Sequence, residues 1–413
     1  EVESGSNTTI TDPKLAGFGD DFFKGATVWV NAGSRWTSQT SEVTDHTGDT
    51  ITFNGLGLTD VQNTPAKGNP YYLFNVYGAL DSENEWWYDE EEQMLYLYGD
   101  PTGKTVQVKA RDTAINLDNV SYVNIDGIQV LGAGISGTNT SSITLNRVEA
   151  NYAAHASTIE NPYRTDVASI KLFGNNNTIS NCEVAYSSAT GVWISGNDNL
   201  LFNSKIHDTD YIGSYGACIN VSGSGNVVSH NTAYNTGRDI IIFQSGDNCK
   251  IEYNDFSHSG MICADLGVFY TVATDGGGTE ICYNWVHDND SSGSRSGIYL
   301  DNGTSNWLVH HNVVWDAGTA LQLNVPSNYI AAYNNTFIGN INQDFAWVFK
   351  TDTWGDRIIN NIATGNIALK DETLARTNFG NIADPGFENA DEHQYSLLAN
   401  SQAIDAAEVI PGI

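Results

Sequence analysis

The stretches IEYNDFSH (251–258), ICYNWVHD (281–288) and LVHHNVVW (308–315) decide the fold, because each sets an asparagine among apolar residues at alternating positions. The arrangement recurs upstream in ITLNRVEA (143–150), TISNCEVA (178–185), LLFNSKIH (200–207) and VVSHNTAY (227–234), and downstream in IAAYNNTF (330–337). Asn146, Asn181, Asn203, Asn231, Asn254, Asn284, Asn312 and Asn334 thus form a column with a mean period of about 27 residues, in the range of solenoids. Short strands joined by Gly/Asn turns at that period suit a parallel β-helix. Asparagines stacked inward at one turn can bond backbone groups that the turn would otherwise bury unpaired. The column is therefore scaffold.

The repeat runs from 105 to 375. Residues 1–104 lack it and read as a β-rich module, with a hairpin predicted from EWWYD–EEEQ–MLYLY (85–98). Residues 376–413 read as a tail capping the last coil, since an open solenoid end exposes unpaired edges. Abundant Gly (40) and scarce Pro (8) fit short strands and tight turns. No apolar run reaches the length of a membrane span.

A formal charge of −31, from 49 acidic and 18 basic residues, makes nucleic acid and anionic membranes poor partners. It fits a solvated acidic surface, and Asp/Asn clusters could in addition hold calcium. The five cysteines have no zinc spacing; buried packing is the default for most, with room for one disulfide. The chain starts at Glu1 rather than Met, and export is the expectation drawn from that.

One strand per coil can be aligned by apolar alternation: GVWIS (191–195), CINVS (218–222), DIIIF (239–243), GVFYT (267–271), GIYLD (297–301) and ALQLN (320–324). This register points Trp193, Asn220, Ile241, Phe269, Tyr299 and Gln322 outward, and aromatic rings flanked by amides suit sugars. It also gathers charge at one edge. Asp265 and Arg295 should face each other about 5 Å apart, with Asp239 about 8 Å from Asp265. Two carboxylates at such spacing suit glycosidic cleavage, either retaining or inverting. At the far end of the strands stand Asp301 and the loop from Thr274 through Asp275 to Gly278, whose three glycines suit a tight turn or a close approach to ligand. His207, His258 and His287 recur after the asparagines, and His287 lies between the coils that carry Asp265 and Arg295.

The stretches DLGVFY (265–270) and GTEICYNWVHD (278–288) resemble secreted right-handed parallel β-helix enzymes of the pectin-lyase-like superfamily, most closely the glycoside hydrolase branches. WWYD (86–89) with LYLY (95–98), and DPGF (384–387) with AID (403–405), extend the resemblance over most of the chain. It implies an all-β fold, a right-handed parallel β-helix with an N-terminal β-rich module, in which acidic residues of the helix face do the chemistry. Asp265 carries over first.

The leading expectation is a secreted, monomeric glycoside hydrolase acting on a polysaccharide or oligosaccharide. Asp239 and Asp265 share the acid and base or nucleophile roles, assisted by Arg295, with Asp301 and His287 also catalytic candidates. Trp193, Asn220, Phe269, Tyr299, Gln322 and Asp275 are the candidate substrate contacts. No cofactor is required and no metal ligands are assigned, though calcium is compatible. A lyase or epimerase acting on a uronic-acid polymer is the alternative, with few basic residues near the face (Lys205, Arg238, Lys250, Arg295) to support it. A non-catalytic carbohydrate-binding solenoid is the third.

Overall fold

A residue in the left-handed region turns the chain sharply, so a left-handed residue between two short apolar runs moves the second run onto a new face. The computed structural model describes residues 1–159, 161–162, 166–343, 352–382 and 384–410. It repeats this bend at Asn181 (φ 55°), Asn203 (46°), His230 (58°), Tyr253 (54°), Tyr283 (55°), His311 (55°) and Asn334 (54°). The outcome is a solenoid of three parallel sheets with 11, 12 and 11 strands among the described residues. The first sheet carries Thr190–Ser195, Ala217–Ser222, Asp239–Ser245, Asp265–Thr271, Ser294–Leu300 and Thr319–Leu323. The second carries Lys250–Glu252, Asp275–Cys282 and Thr304–His310, and the third Asp255–Ser259, Trp285–Asn289 and Val313–Trp315. Inward side chains of all three, such as Val192, Ile219, Ile251, Phe256, Ile281 and Leu321, form one continuous core. The described residues contain no α-helix.

The asparagine column resolves into two neighbouring columns. Asn231, Asn254, Asn284 and Asn312 belong to a buried ladder that continues through Asn335, Asn361 and Asn378. From Asn254 onward, each Oδ1 accepts from the backbone N–H and the side-chain amide of the asparagine one coil earlier, at 2.9–3.1 Å for Asn254, Asn284 and Asn312. Asn181, Asn203 and Asn334 lie one residue earlier and are themselves left-handed bend residues, while Asn146 lies two residues earlier, opposite Ser180 and just before the bend at Arg147. Asn is the non-glycine residue that best tolerates this conformation, so both adjacent positions select it for different reasons. A second buried ladder links Asn177, Asn199 and Asn226 at another turn.

The chain forms two units. One comprises Glu1–Ala110, Ala156–Asp166 and Ile212–Tyr215, the other Arg111–His155, Val167–Tyr211 and Gly216–Ile413. The first holds a six-stranded antiparallel sheet, from Ser4–Ser6 to Tyr71–Phe74, over a core of Ile10, Val28, Val43, Ile51 and Phe53. Two excursions from the repeat join it: Trp29 Nε1 donates to the Ile212 carbonyl at 2.7 Å and Ile159 N–H to Thr40 Oγ1 at 2.7 Å. The expected hairpin pairs Trp86–Asp89 with Met94–Leu97. In the C-terminal tail, Phe387–Asn389 pairs with Gln394–Leu397, and His393 and Tyr395 lie against Trp315. Residues 383 and 411–413 of that tail lie outside the described residues. All five cysteines are buried and no disulfide joins any two of them, so the one their number left room for does not form.

Replacing Asn284 by Ala removes the acceptor for Asn254 N–H and Nδ2, leaving the buried N–H unpaired and Nδ2 with the Val228 carbonyl alone. The expected loss is about 2–4 kcal/mol in the denaturant unfolding midpoint. Asn203→Gly, at an exposed bend that glycine tolerates, should lose less than about 1 kcal/mol. Equal losses would sink the distinction between the two columns.

Candidate active site

The outward column of the first sheet is Trp193, Asn220, Ile242, Tyr270, Tyr299 and Gln322, each opposite the next in parallel register. Ile241 and Phe269, expected in that column, point instead into the core. The one-residue slip has two causes. The string of three isoleucines and a phenylalanine at 240–243 has no alternation to fix its register. The matching glycines of GVFYT and GIYLD also mislead, because Gly267 lies opposite Ser296 and not Gly297, at an offset that holds along the whole strand pair. The column is also more enclosed than expected. Trp193 (2% exposed) packs on Phe173 and Lys171, and Asn220, Tyr270 and Tyr299 are buried.

Asp239 and Asp265 open adjacent strands and Asp301 follows the next, and these three acids do converge electrostatically. Asp239 is fully buried. One of its oxygens contacts the Arg238 guanidinium and the other accepts the Gly267 N–H at 3.1 Å. Arg238 is itself buried, donates to the Asp265 carbonyl at 3.4 Å and covers the Tyr270 ring at 4.6 Å. The Asp265 side chain is partly exposed. Asp301, also partly exposed, accepts from the Tyr270 hydroxyl (2.8 Å), Asn324 Nδ2 (2.6 Å) and the Asn302 N–H (2.7 Å). Asn324 Nδ2 also donates to the Tyr299 hydroxyl at 2.7 Å, and Gln322 Nε2 donates to Asn324 Oδ1 at 2.8 Å.

Burial raises the Asp239 pKa to about 7; Arg238 and the Gly267 N–H oppose the shift and Asp265 adds to it. Burial also raises Asp265, against the pull of Arg238 and with a further push from the Asp301 charge. Tyr299 is pushed upward by burial and by the charges of Asp301 and Asp265, so its hydroxyl stays protonated. Asp239 and Asp265 thus share one arginine, and burial holds the proton of each above the usual carboxylate range.

The remaining expected residues lie elsewhere. Arg295 is opposite Leu266, not Asp265, and donates from Nε to the Asn289 carbonyl at 3.1 Å. Arg238 takes the place expected of it. His287 stands on the third sheet, where burial alone would lower its pKa, but hydrogen bonds to Asp255 (2.8 Å) and Asp288 (2.6 Å) outweigh that and raise it. Its ring stacks on Trp315 at 4.0 Å, a structural setting. Asp275 belongs to the second sheet and accepts from Gly277 N–H and Asn306 Nδ2. The glycines beside it form part of that sheet: a Cβ on Gly276 would strike the Trp307 ring at 2.7 Å. The sequence pattern points Tyr270 inward and gives Arg238 and Asn324, which it places near the face, no role in the cluster. Adjacency of Arg238 to Asp239 was the available signal.

Two surface concavities lie away from this cluster, one lined by Arg147, Glu183 and His230 and another by Asp288, Arg295 and Asp316. Neither contains the three converging acids.

No curated protein sequence matches the chain. Among solved structures, it is similar to the A-module of mannuronan C-5 epimerase AlgE4 from Azotobacter vinelandii, at 10% identity and a TM-score of 0.40. That match covers 57% of this chain and 64% of the epimerase module. A glycoside hydrolase matches at 13% identity and TM-score 0.39, over 97% of this chain and 76% of that one. Pectate lyase Pel9A matches at 14% identity and TM-score 0.39, over 74% and 86%. Residues 168–338 match the family model described as a right handed beta helix region. The solenoid that presents the Asp239–Asp265–Asp301 cluster is a right-handed parallel β-helix.

Proposed function

We propose that the chain is a secreted glycoside hydrolase that cleaves polysaccharide on the first sheet, with Asp265 as the proton donor and Asp301 as its carboxylate partner. One observation carries this reading. Asp265 and Asp301 are partly exposed and electrostatically coupled, while the arginine, tyrosines and amides around them are buried and hydrogen-bonded. Asp265, held protonated above the usual range, gives its proton to the leaving glycosidic oxygen. Asp301, fixed by Tyr270, Asn324 and Asn302, either takes a proton from the attacking water or attacks the anomeric carbon. Asp239 has no exposed surface and acts as a positioning residue: it fixes Arg238, which in turn spans Asp265 and Tyr270. The acidic balance of −31 accords with an exported protein and an uncharged substrate.

Elimination at a uronic acid needs a base for the C5 proton and a cation free to neutralise the sugar carboxylate. Arg238 is the cation of the cluster, but it is buried against Asp239, and Tyr299 is held protonated. Both features weigh against a lyase.

Incubation with a panel of plant and algal polysaccharides should yield new reducing ends without the ultraviolet absorbance of unsaturated products; that absorbance would overturn the hydrolase reading. Asp265→Asn and Asp301→Asn should each lower turnover by about 10²–10⁴-fold with the fold intact. No turnover by the wild type on any substrate it binds would instead favour a binding solenoid. Since the donor must be protonated and its pKa is raised, the alkaline limb of the wild-type rate should lie above the ordinary carboxylate range.

Asp239 makes a separate prediction. Its folded pKa of about 7 exceeds the unfolded value, so the folded form binds the extra proton and wild-type stability falls as pH rises from about 4 through 7. Asp239→Asn leaves Arg238 without its counter-charge and lowers stability overall, but it should flatten this slope to what Asp265 contributes. Parallel melting-temperature profiles for the two proteins across that window would refute the assignment.

A further inference from the structure

The outer face of the second sheet carries a group that the first-sheet chemistry does not use. Glu280 and Cys282 lie two residues apart on Asp275–Cys282, so their side chains leave the same face. Cys282 is directly opposite His310 on the next coil. One ligand atom from each of the three, a carboxylate oxygen, Sγ and an imidazole nitrogen, lies within 4.8 Å of the others. Two sequence separations, 280 to 282 and 282 to 310, thus converge through the register alone.

We propose that Glu280, Cys282 and His310 form a binding site for a divalent transition-metal ion, zinc above all, clamped between two successive coils. Carboxylate, thiolate and imidazole together are a donor set that suits zinc and not calcium or magnesium, which take oxygen alone. Glu280 Oε2 and His310 Nε2 are 3.3 Å apart. Zinc bonds of about 2.0–2.2 Å to oxygen and nitrogen in a tetrahedron give an edge of about 3.3–3.5 Å, so this pair already has ligand spacing. The sulfur has to approach by about 1 Å, within the reach of a χ1 adjustment.

The surroundings hold the ligands in pose. Lys250 Nζ lies 3.7 Å from Glu280 Oε1, leaving Oε2 turned towards the imidazole. The His310 ring stacks on Tyr333 at 4.9 Å with an 8° tilt, and its Nδ1 is 2.9 Å from Nδ1 of His311. A hydrogen bond at that position is the usual outer partner of a metal-bound histidine, because it fixes the tautomer that presents Nε2 as donor. Without an ion, a proton must bridge Nε2 and the carboxylate; an ion replaces that proton and displaces the one on Sγ. Three protein ligands leave a fourth position for water.

The test uses the full chain, reduced, stripped with a chelator and titrated with Co²⁺ as the probe. The expected result is a thiolate-to-cobalt charge-transfer band with the visible bands of a tetrahedral site, saturating at one ion per chain and erased by Zn²⁺. Zn²⁺ should also raise the melting temperature, as any ligand of the folded state does. Cys282→Ser should abolish the charge-transfer band although four other thiols remain, and Glu280→Gln, a milder change, should weaken Co²⁺ binding at least about tenfold. A wild type that binds Co²⁺ without a thiolate band, or does not bind it, overturns the proposal. So does a band that survives in Cys282→Ser or an affinity unchanged in Glu280→Gln, each judged in protein of wild-type circular dichroism.

Discussion

Parallel pairing of each coil with the next, in register, is the constraint from which everything else in the solenoid follows. Residues 17 to 35 apart in sequence become neighbours about 4.8 Å apart, and a slip of one residue reverses which face a side chain occupies. The inner asparagine ladder guards against that slip. Each rung binds both the backbone N–H and the side chain of the rung before it. Shifting one coil by a residue would bury a bend residue and expose the amide, leaving several buried donors unpaired. The cost of each is about 1–3 kcal/mol, which exceeds what the shifted apolar contacts could restore.

This constraint also decides what could be read from residue order. The period and the strand-forming strings identify a parallel β-helix, because a repeat of this kind buries its apolar columns only by stacking. The asparagine column blurred because adjacent positions favour asparagine for unrelated reasons, one for left-handed geometry and one for buried hydrogen bonds. Asn203 and Asn231 therefore look equivalent in their strings and are not. In the first sheet, Asp301, Tyr299 and Gln322 were legible because their coils carry a clear register, and Asp239 and Asp265 because each is an acid at the start of a strand-forming string. Tyr270 was not, since the strings align Gly267 with Gly297 while the strands pair it with Ser296. The choice of Arg295 over Arg238 fails for the same reason: an error of one residue moves a guanidinium from the cluster to the Asn289 carbonyl.

Burial then assigns different tasks to chemically identical carboxyls. Removing Asp239 and Arg238 from water costs several kcal/mol per ion, and their contact offsets this only while both remain in place. Such a pair is suited to holding geometry. It cannot reach a sugar. Asp265 and Asp301 keep part of their surface in solvent, and Asp265 remains close enough to the buried pair to feel the Arg238 charge. A proton gained by one is opposed by the arginine and favoured by the other acids, which is how one cluster can keep an acid and a carboxylate side by side near neutral pH.

Gly267 ties these effects together. A side chain there would meet the Phe269 carbonyl at 2.4 Å and the Tyr299 Cβ at 2.8 Å, so the strand can adopt its compressed path only with glycine at this point. That path turns Phe269 into the core beside Trp307 and turns Tyr270 out. Once out, Tyr270 reaches Asp301 with its hydroxyl and lies under Arg238 with its ring, joining the two ends of the site through one side chain. The Gly267 N–H meanwhile donates to Asp239. A single residue without a Cβ therefore leaves room for the aromatic contact and supplies one of the hydrogen bonds on the buried acid, within the register that the asparagines maintain around it.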